Sequence, residues 1–166
     1  LGSVNYKEKF NGLYYDFNSN GEKVIFLKPQ TFMNNSGECV SKFVKYYDVN
    51  NKDIMIIHDD LDINVGVCKF KYNSTSGGHN GINSIINHLG NKEFFRMKLG
   101  IKTDKKNNVI DFVLGKFSKK EEFSKEEIIE EIKNNENFNN FCEEIHLTEV
   151  VEDTIEHFVI NSYFLI

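Results

Sequence analysis

The chain has 166 residues, of which 40% are hydrophobic, and this suits one globular domain with its own core. Its net charge of −5 excludes general electrostatic binding of nucleic acid, so an anionic partner would need a local basic patch. The three cysteines are widely spaced, which predicts reduced thiols rather than disulfides or a metal site, and no run of about 18 apolar residues predicts a membrane span.

Strand and helix signals alternate along the first part of the chain. Strands are predicted near Phe10–Phe17 and Lys23–Lys28, because a glycine-containing turn signal separates them. A helix is predicted over Ser36–Tyr47, where apolar residues recur at helical spacing. Asn35 or Ser36 is expected to cap this helix.

A buried strand is predicted in the middle of the chain. The short apolar run Asp53–Ile57 is typical of a strand covered on both faces, and we expect it to end in an acidic loop at His58–Asp62. Further strands are predicted over Val67–Tyr72 and Phe95–Lys102, with a helix over Asn80–Leu89 between them. Functional residues gather just past the carboxyl ends of such strands, so the acidic loop is a candidate site.

Composition changes in the last third of the chain. Lys102–Asn108 is polar and is interpreted as a loop. Lys119–Glu131 is dense in Lys and Glu and predicts a charged helix, whereas the Asn-rich run Asn134–Asn140 predicts a mobile connection. Glu143–Ile166 has apolar residues at helical spacing, which predicts a helix with an apolar tail. We interpret residues 119–140 as a charged insertion.

Two polar loops carry groups suited to binding a substrate. The glycine-bracketed run Ser76–Gly90 holds His79 and Asn80 where a tight turn can present them to a ligand, which predicts a binding or catalytic loop. The run Thr31–Gly37 places amide and hydroxyl groups beside a Met and a Phe, which suits a pocket for a neutral base or an ester. Alternatively, its polar residues only cap the following helix.

The acidic run has three interpretations. A His followed by three carboxylates could hold a divalent metal, or could supply an Asp that orients a catalytic His. It could also be a solvated acidic turn.

Four cations are predicted to share strand faces. Lys69 and Lys71 alternate along one strand, and Arg96 and Lys98 alternate along a later one. They could form a basic patch for phosphates on an acidic protein, or they could form an ordinary solvated strand face.

Taken together, five segments resemble bacterial-type peptidyl-tRNA hydrolase. They are FNGLYYDF, KPQTFMNNSGECV, IIHDDLDINVGVCKFKYN, SGGHNGINSIINHLGNKEFFRMKLGI and VIDFVLGKF. Their order and spacing match that family from about Tyr6 to Phe117, and the motifs TFMN-x-SG, HD-D/E-LD and GGHNG are highly specific in combination. The resemblance implies an α/β fold in a single domain over residues 4–166, with a twisted mixed β-sheet flanked by helices. It also implies hydrolysis of the ester between peptide and tRNA, which frees tRNA for recycling, without metal or cofactor.

The resemblance further implies roles for individual residues. Asp59 matches an Asp that orients the His general base, and Asn34 matches an Asn of the catalytic centre. The residues expected to contact the substrate are Met33, Gly78, His79, Asn80 and Leu114. Those expected to contact the tRNA backbone are Lys69, Lys71, Arg96 and Lys98. The protein is expected to act as a monomer on peptidyl-tRNA, away from membranes, in the cytoplasm or in the matrix of a mitochondrion or plastid.

One departure from the family concerns the base itself. In the family a strand, a glycine-containing loop and a segment with an Asn and the catalytic His come first. This sequence starts beyond that segment, and none of its five histidines matches the base. We therefore expect that N-terminal residues are absent from this sequence, that the full-length protein is active, and that residues 1–166 alone are inactive.

Two other functions remain open on the sequence. The first is a non-catalytic RNA-binding homologue of the same fold, resembling the chloroplast group II intron splicing factor. The second is a metal phosphohydrolase that would use the acidic run, namely His58, Asp59, Asp60 and Asp62.

Overall fold

The computed structural model describes residues 5–19, 21–64, 67–102, 130 and 133–144, and it opens with three antiparallel strands. These are β1 (Lys7–Lys9), β2 (Gly12–Ser19) and β3 (Glu22–Pro29), in the order β1-β2-β3. The predicted turn before β3 is confirmed, with Gly21 at φ 88°. The strand predicted from Phe10 starts two residues later, because Phe10 and Asn11 have φ of 52° and 59° and form the turn out of β1.

The first helix follows a short 3-10 turn. The turn covers Met33–Asn35, and helix α1 covers Ser36–Tyr47, as predicted. Asn35 occupies the N-cap position but makes no side-chain capping bond, and Ser36 Oγ instead donates to the Met33 carbonyl at 2.8 Å. Asp48, at φ 53°, ends the helix in the left-handed conformation.

A second, mixed sheet carries the polar motifs. Its strands are β4 (Met55–Asn64), β5 (Cys68–Tyr72) and β6 (Phe95–Lys102), in the order β4-β6-β5. β4 pairs with β6 in parallel, and β5 pairs with β6 in antiparallel orientation, which confirms the predicted mixed sheet. The described strands nevertheless divide into two sheets of three strands each rather than one continuous sheet.

The prediction that the acidic run forms a loop was wrong. β4 continues through His58–Asp62, and its ladder with β6 holds to the pair Asp60–Gly100 before an irregularity near Asn64. The strand tolerates these polar residues because His58 and Asp59 are buried against partners from other elements, and Asp60 is paired with a lysine of β6.

Helices cover both faces of the mixed sheet. On one face, α1 and α2 (Asn80–Leu89) enclose a core of apolar residues, namely Val40, Ile54, Ile56, Ile82, Ile85 and Phe94. On the other face, α3 (Glu136–Glu144) packs on a second core, namely Cys68, Met97, Phe138, Phe141 and Cys142. This is the α/β arrangement of a sheet flanked by helices that the sequence predicts. No helix within the described ranges is both long enough and apolar enough to cross a membrane.

The prediction of a mobile connection over Asn134–Asn140 was wrong for most of that segment, because α3 begins at Glu136. Phe138, Phe141 and Cys142 recur at helical spacing and are buried, and Asn135 Oδ1 accepts the backbone N–H of Asn137 at 3.1 Å at the start of the helix. The charged helix predicted over Lys119–Glu131 lies outside the described residues apart from Glu130, and so does the loop predicted over Lys102–Asn108 apart from Lys102, which belongs to β6. Of the helix predicted over Glu143–Ile166, the structure describes Glu143 and Glu144, at the end of α3.

Candidate active site

The glycine-bracketed loop leads from β5 into α2 and presents two polar residues. Gly77 and Gly78 have φ of 60° and 84°, in the left-handed region that favours glycine. The backbone N–H of His79 donates to the carbonyl of Ser76 at 3.1 Å, which closes the turn. His79 is the N-cap of α2, because its side chain accepts the backbone N–H of Ile82, and Asn80 is the first residue of the helix.

Asp59 and His79 form a hydrogen-bonded pair between the sheet and this helix. His79 Nε2 lies 2.9 Å from Asp59 Oδ1, and the two side chains are only 12% and 10% exposed. His79 Nδ1 accepts the backbone N–H of Ile82 at 3.2 Å. Since Nδ1 accepts, the proton of the neutral ring lies on Nε2 and is donated to Asp59.

This arrangement leaves different groups free on the two residues. Both ring nitrogens of His79 are occupied, so the ring has no lone pair available to take a proton from water. The Asp59 carboxylate accepts only one hydrogen bond from the described residues, at Oδ1, so Oδ2 is available to orient another group.

His58 packs beside this pair. Its ring centroid lies 4.8 Å from that of His79, with the planes at 66°, which is an edge-to-face contact. Its Nδ1 lies 2.7 Å from the carbonyl oxygen of Asp59 and therefore donates to it. Burial, and after it the neighbouring His79, lowers the pKa of His58 to about 4. His58 is thus a neutral, buried support for the pair, and the sequence suggested it only as a metal ligand.

The second predicted loop lies against the same helix. The 3-10 turn packs on α2, and a Cβ built on Gly81 would come within 3.2 Å of Met33 Cγ, so Met33 contacts the first turn of α2. Asn34, next to it in the chain, is exposed, and its side-chain amide hydrogen-bonds none of the described residues; the same holds for the amide of Asn80. Two amide side chains are therefore available for a ligand.

The Ser-Gly of the same motif brings the two helices together. The backbone N–H of Gly37 donates to Ser84 Oγ at 3.0 Å in a buried contact. A Cβ on Gly37 would overlap the backbone carbonyl of Ser84, so only glycine allows this approach. The close contact fixes where the 3-10 turn sits relative to α2.

The four predicted cations share one sheet face but differ in exposure. Lys69 pairs with Lys98 across the strands, and Lys71 pairs with Arg96, so they form two neighbouring rows. Lys69 and Lys71, on β5, are exposed, as a contact with tRNA requires. Arg96, on the central strand β6, is 0% exposed and does not offer the accessible guanidinium that the prediction requires.

Lys98 already has a partner. Its Nζ lies 2.7 Å from Asp60 Oδ2, and the two side chains are 18% and 15% exposed. Burial raises the pKa of Asp60, but hydrogen bonds from Lys98 and from the backbone N–H of Asp62 outweigh burial and hold the pKa below its usual value. Lys98 can therefore bind a phosphate only in competition with Asp60. The sequence pattern does not predict this ion pair, because the two residues lie 38 positions apart in the chain.

The described residues do not form the metal site that one alternative needs. No group of three His, Cys, Asp or Glu side chains among them is placed to hold a metal ion. Asp59 points to His79 and Asp60 to Lys98, so the acidic run does not converge. Leu114, predicted to contact substrate, lies outside the described residues.

Comparison with known proteins identifies the family. A family model described as peptidyl-tRNA hydrolase matches residues 2–154. A peptidyl-tRNA hydrolase of Listeria welshimeri is 45% identical over 116 residues, which cover 70% of this chain and 63% of the relative. One of Bacillus subtilis is 45% identical over 125 residues, which cover 75% of this chain and 66% of the relative. A crystal structure of peptidyl-tRNA hydrolase from Acinetobacter baumannii superposes with a TM-score of 0.66 at 30% identity, covering 97% of this chain and 79% of that one.

These matches differ in how much of each protein they cover. The chain spans 63% of the length of the Listeria relative and 66% of the Bacillus relative. The family model, by contrast, matches nearly all of this chain. The chain therefore belongs to the peptidyl-tRNA hydrolase family.

Proposed function

We propose that the whole protein hydrolyses the ester bond between peptide and tRNA in peptidyl-tRNA and so returns free tRNA for reuse. The observation that carries this proposal is the buried Asp59 carboxylate, which is fixed by His79 through one oxygen and whose other oxygen bonds none of the described residues. A carboxylate held in this way is suited to orient a histidine that takes a proton from water. The water can then attack the ester carbonyl, and the 3′-hydroxyl of the tRNA leaves with a proton.

Under this proposal the histidine base lies outside the described residues. Among those residues, His79 uses both nitrogens in hydrogen bonds. His58 donates through Nδ1 to a backbone carbonyl, and its Nε2 is buried away from solvent. Neither ring is oriented to receive a proton from a water that attacks a bound ester. His88, the third described histidine, lies in the last turn of α2, at the opposite end of the helix from His79 and Asp59, and its Nδ1 donates to the Ser84 carbonyl at 2.8 Å.

The exposed amides are proposed to hold the substrate. Asn34 and Asn80 each offer an amide that hydrogen-bonds no described residue, and Met33 supplies an apolar surface beside the first turn of α2. Gly78 leaves the approach to this turn open, because no described residue lies within 4 Å of a Cβ built there. An ester with an attached peptide needs this combination of polar handles and apolar contact.

The basic edge strand is proposed to contact the tRNA backbone. Lys69 and Lys71 are exposed on β5, and Lys98 joins them on the neighbouring strand if Asp60 releases it. A local patch of this kind allows an acidic protein to bind a polyanion in a salt-dependent way.

The test compares residues 1–166 with a form extended at the N-terminus to the complete coding sequence. Peptidyl-tRNA labelled in the peptide is the substrate, and release of label is measured for both forms. We expect hydrolysis by the extended form only. Equal rates in the two forms would contradict a base supplied by the N-terminal extension, and absence of hydrolysis by both would contradict the activity.

We also propose that the protein works as a monomer without a metal or cofactor, in the cytoplasm or in the matrix of a mitochondrion or plastid. Hydrolysis that survives thorough chelation, and sedimentation at the monomer mass, would support this. Loss of hydrolysis on chelation, restored by a divalent metal, would contradict it.

The alternative is a non-catalytic RNA-binding protein of the same fold. The occupied nitrogens of His79 favour it, since they leave the described residues with binding groups but without a base. Tight tRNA binding by the extended form, combined with no ester hydrolysis, would select this alternative.

A further inference from the structure

Arg96 occupies an unusual position for a cation in a proposed tRNA-binding sheet. It pairs with Lys71 across the β5–β6 ladder, so the two side chains lie next to each other on the same face. Lys71 is exposed, whereas Arg96 is 0% exposed and is the largest fully buried side chain among the described residues. The difference arises because β6 is the central strand and β5 lies at the edge of the described sheet.

The segment that covers Arg96 is the loop that leads to His79. Arg96 Nη1 donates to the backbone carbonyl of Thr75 at 2.6 Å, across 21 residues of chain. Its guanidinium carbon also lies 5.2 Å from the centre of the Phe94 ring, within the range of a cation–π contact. A hydrogen bond from a charged donor is stronger and shorter than one between neutral groups, so this contact is a firm anchor for the loop.

Three hydrogen bonds and one peptide bond connect this anchor to the candidate active site. Arg96 donates to the carbonyl of Thr75, and the carbonyl of the next residue, Ser76, accepts the backbone N–H of His79 at 3.1 Å. The His79 side chain in turn donates to Asp59 at 2.9 Å. The two left-handed glycines between Ser76 and His79 give the loop little rigidity of its own. The position of His79 and Asn80 therefore depends on a fixed point upstream.

We propose that Arg96 is a positioning residue, which fixes the loop that presents His79 and Asn80, and that it does not contact the tRNA backbone. The proposal rests on the proposed function for its catalytic consequence, but its structural content concerns this chain alone. Two atoms support it: Arg96 Nε and Nη2 are buried without a hydrogen-bond partner among the described residues, and no carboxylate in those residues pairs with them. Within the described ranges the one hydrogen bond of this buried cation goes to the carbonyl of Thr75, which supports a structural role.

The test compares Arg96→Met with Lys71→Met, the matched removal of the exposed cation beside it. In full-length chains labelled with ¹⁵N, the ring signals of His79 report its tautomer and its bond to Asp59. We expect Arg96→Met to shift or broaden these signals, Arg96→Lys to restore them in part, and Lys71→Met to leave them unchanged. Circular dichroism of each variant establishes that the overall fold is retained.

A second measurement separates anchoring from tRNA contact. The dependence of tRNA affinity on salt concentration reports how many phosphates the protein neutralises. We expect Lys71→Met to lower the slope by about one, and Arg96→Met to leave it unchanged. In the active extended form, Arg96→Met should lower kcat by roughly ten- to a hundredfold, since misplacement of a positioned group has a cost of this size.

Two results would overturn the proposal. One is a fall in the salt slope for Arg96→Met equal to that for Lys71→Met, and the other is an unchanged set of His79 signals in Arg96→Met. If Arg96→Met does not fold, the side-chain Nε–H signal of Arg96 in the wild-type chain decides, because a direct phosphate contact would shift it on addition of tRNA. If the chain binds no tRNA at all, the proposed function fails, and the His79 signals still test the anchoring role.

Discussion

His79 Nε2 donates to Asp59 Oδ1 at 2.9 Å, while His79 Nδ1 accepts the first-turn N–H of Ile82. One ring therefore joins the N-terminal end of α2 to strand β4. The pair is nearly buried, and the low local dielectric strengthens the hydrogen bond. The consequence is a carboxylate whose orientation is set by a helix cap. A histidine that would usually be suspected as a base is instead part of the scaffold.

Substitution of His79 should separate its two bonds. His79→Asn keeps a side chain able to cap α2 but loses the reach to Asp59, whereas His79→Ala loses both contacts. We expect His79→Ala to lower the free energy of unfolding by about 2–3 kcal/mol and His79→Asn to lower it by about 1 kcal/mol less. Urea unfolding measures both values. Equal losses in the two variants would show that the ring does not cap the helix.

Titration of His58 should make stability depend on pH in a defined window. Its pKa falls from the ordinary 6.5 to about 4 in the folded chain, so the unfolded chain binds the proton more readily. The neutral ring is fully compatible with folding above about pH 6.5, and stability is lost as the pH falls from there towards 4, by about 3 kcal/mol in total. We expect the pH profile of urea unfolding for His58→Gln to lack this contribution. Parallel profiles for wild type and variant would contradict the burial of a neutral imidazole.

Gly37 should tolerate no larger residue. The methyl of Gly37→Ala would overlap the Ser84 carbonyl where α1 meets α2, and neither backbone can move without disturbing the core. We expect a loss of about 2–4 kcal/mol in the free energy of unfolding, since overpacking of this kind forces backbone shifts. Lys45→Ala, at an exposed position of α1, is the matched control and should change stability by less than about 0.5 kcal/mol. Similar values for the two variants would contradict the close helix contact.

Removal of the Asp60 carboxylate should release Lys98 for a phosphate. Asp60→Asn removes both the partner of Lys98 and a negative charge beside the proposed tRNA surface. We expect tRNA affinity at fixed salt to rise by roughly three- to tenfold, in line with the modest energy of a partly exposed ion pair. Asp62→Asn removes an exposed carboxylate from the same strand and serves as the control, with a smaller expected gain. A gain no larger for Asp60→Asn than for Asp62→Asn would place Lys98 outside the tRNA contact.

The sequence predicted the elements whose apolar residues follow a regular period. Helices α1 and α2 have the predicted bounds, because their buried residues recur at helical spacing and pack on one sheet face. The predictions that failed concern polar residues held in regular structure by distant partners. Asp60 stays in β4 because Lys98 pairs with it, and the Asn-rich segment stays helical because Phe138 and Phe141 are buried.

The sequence motifs do not predict which side chains of the candidate site meet, or how exposed they are. Separate motifs assign separate roles to Asp59 and His79, and the structure joins them by a hydrogen bond. Lys71 and Arg96 follow the same alternation in the sequence, yet one is exposed and the other buried. The strand order β4-β6-β5, which places Arg96 on the central strand, arises from long-range pairing that local pattern does not encode.

The proposal that Asp59 orients a histidine base is tested most directly by the effect of Asp59→Asn on peptidyl-tRNA hydrolysis by the extended form. The substitution keeps the size of the side chain but removes the charge proposed to orient the base. Asp62→Asn, an exposed carboxylate of the same strand, is the control. We predict a fall in kcat of roughly 10³- to 10⁴-fold for Asp59→Asn, as expected when a histidine base loses its orienting carboxylate, and a near-normal rate for the control. A rate for Asp59→Asn within a few fold of the wild type would contradict it.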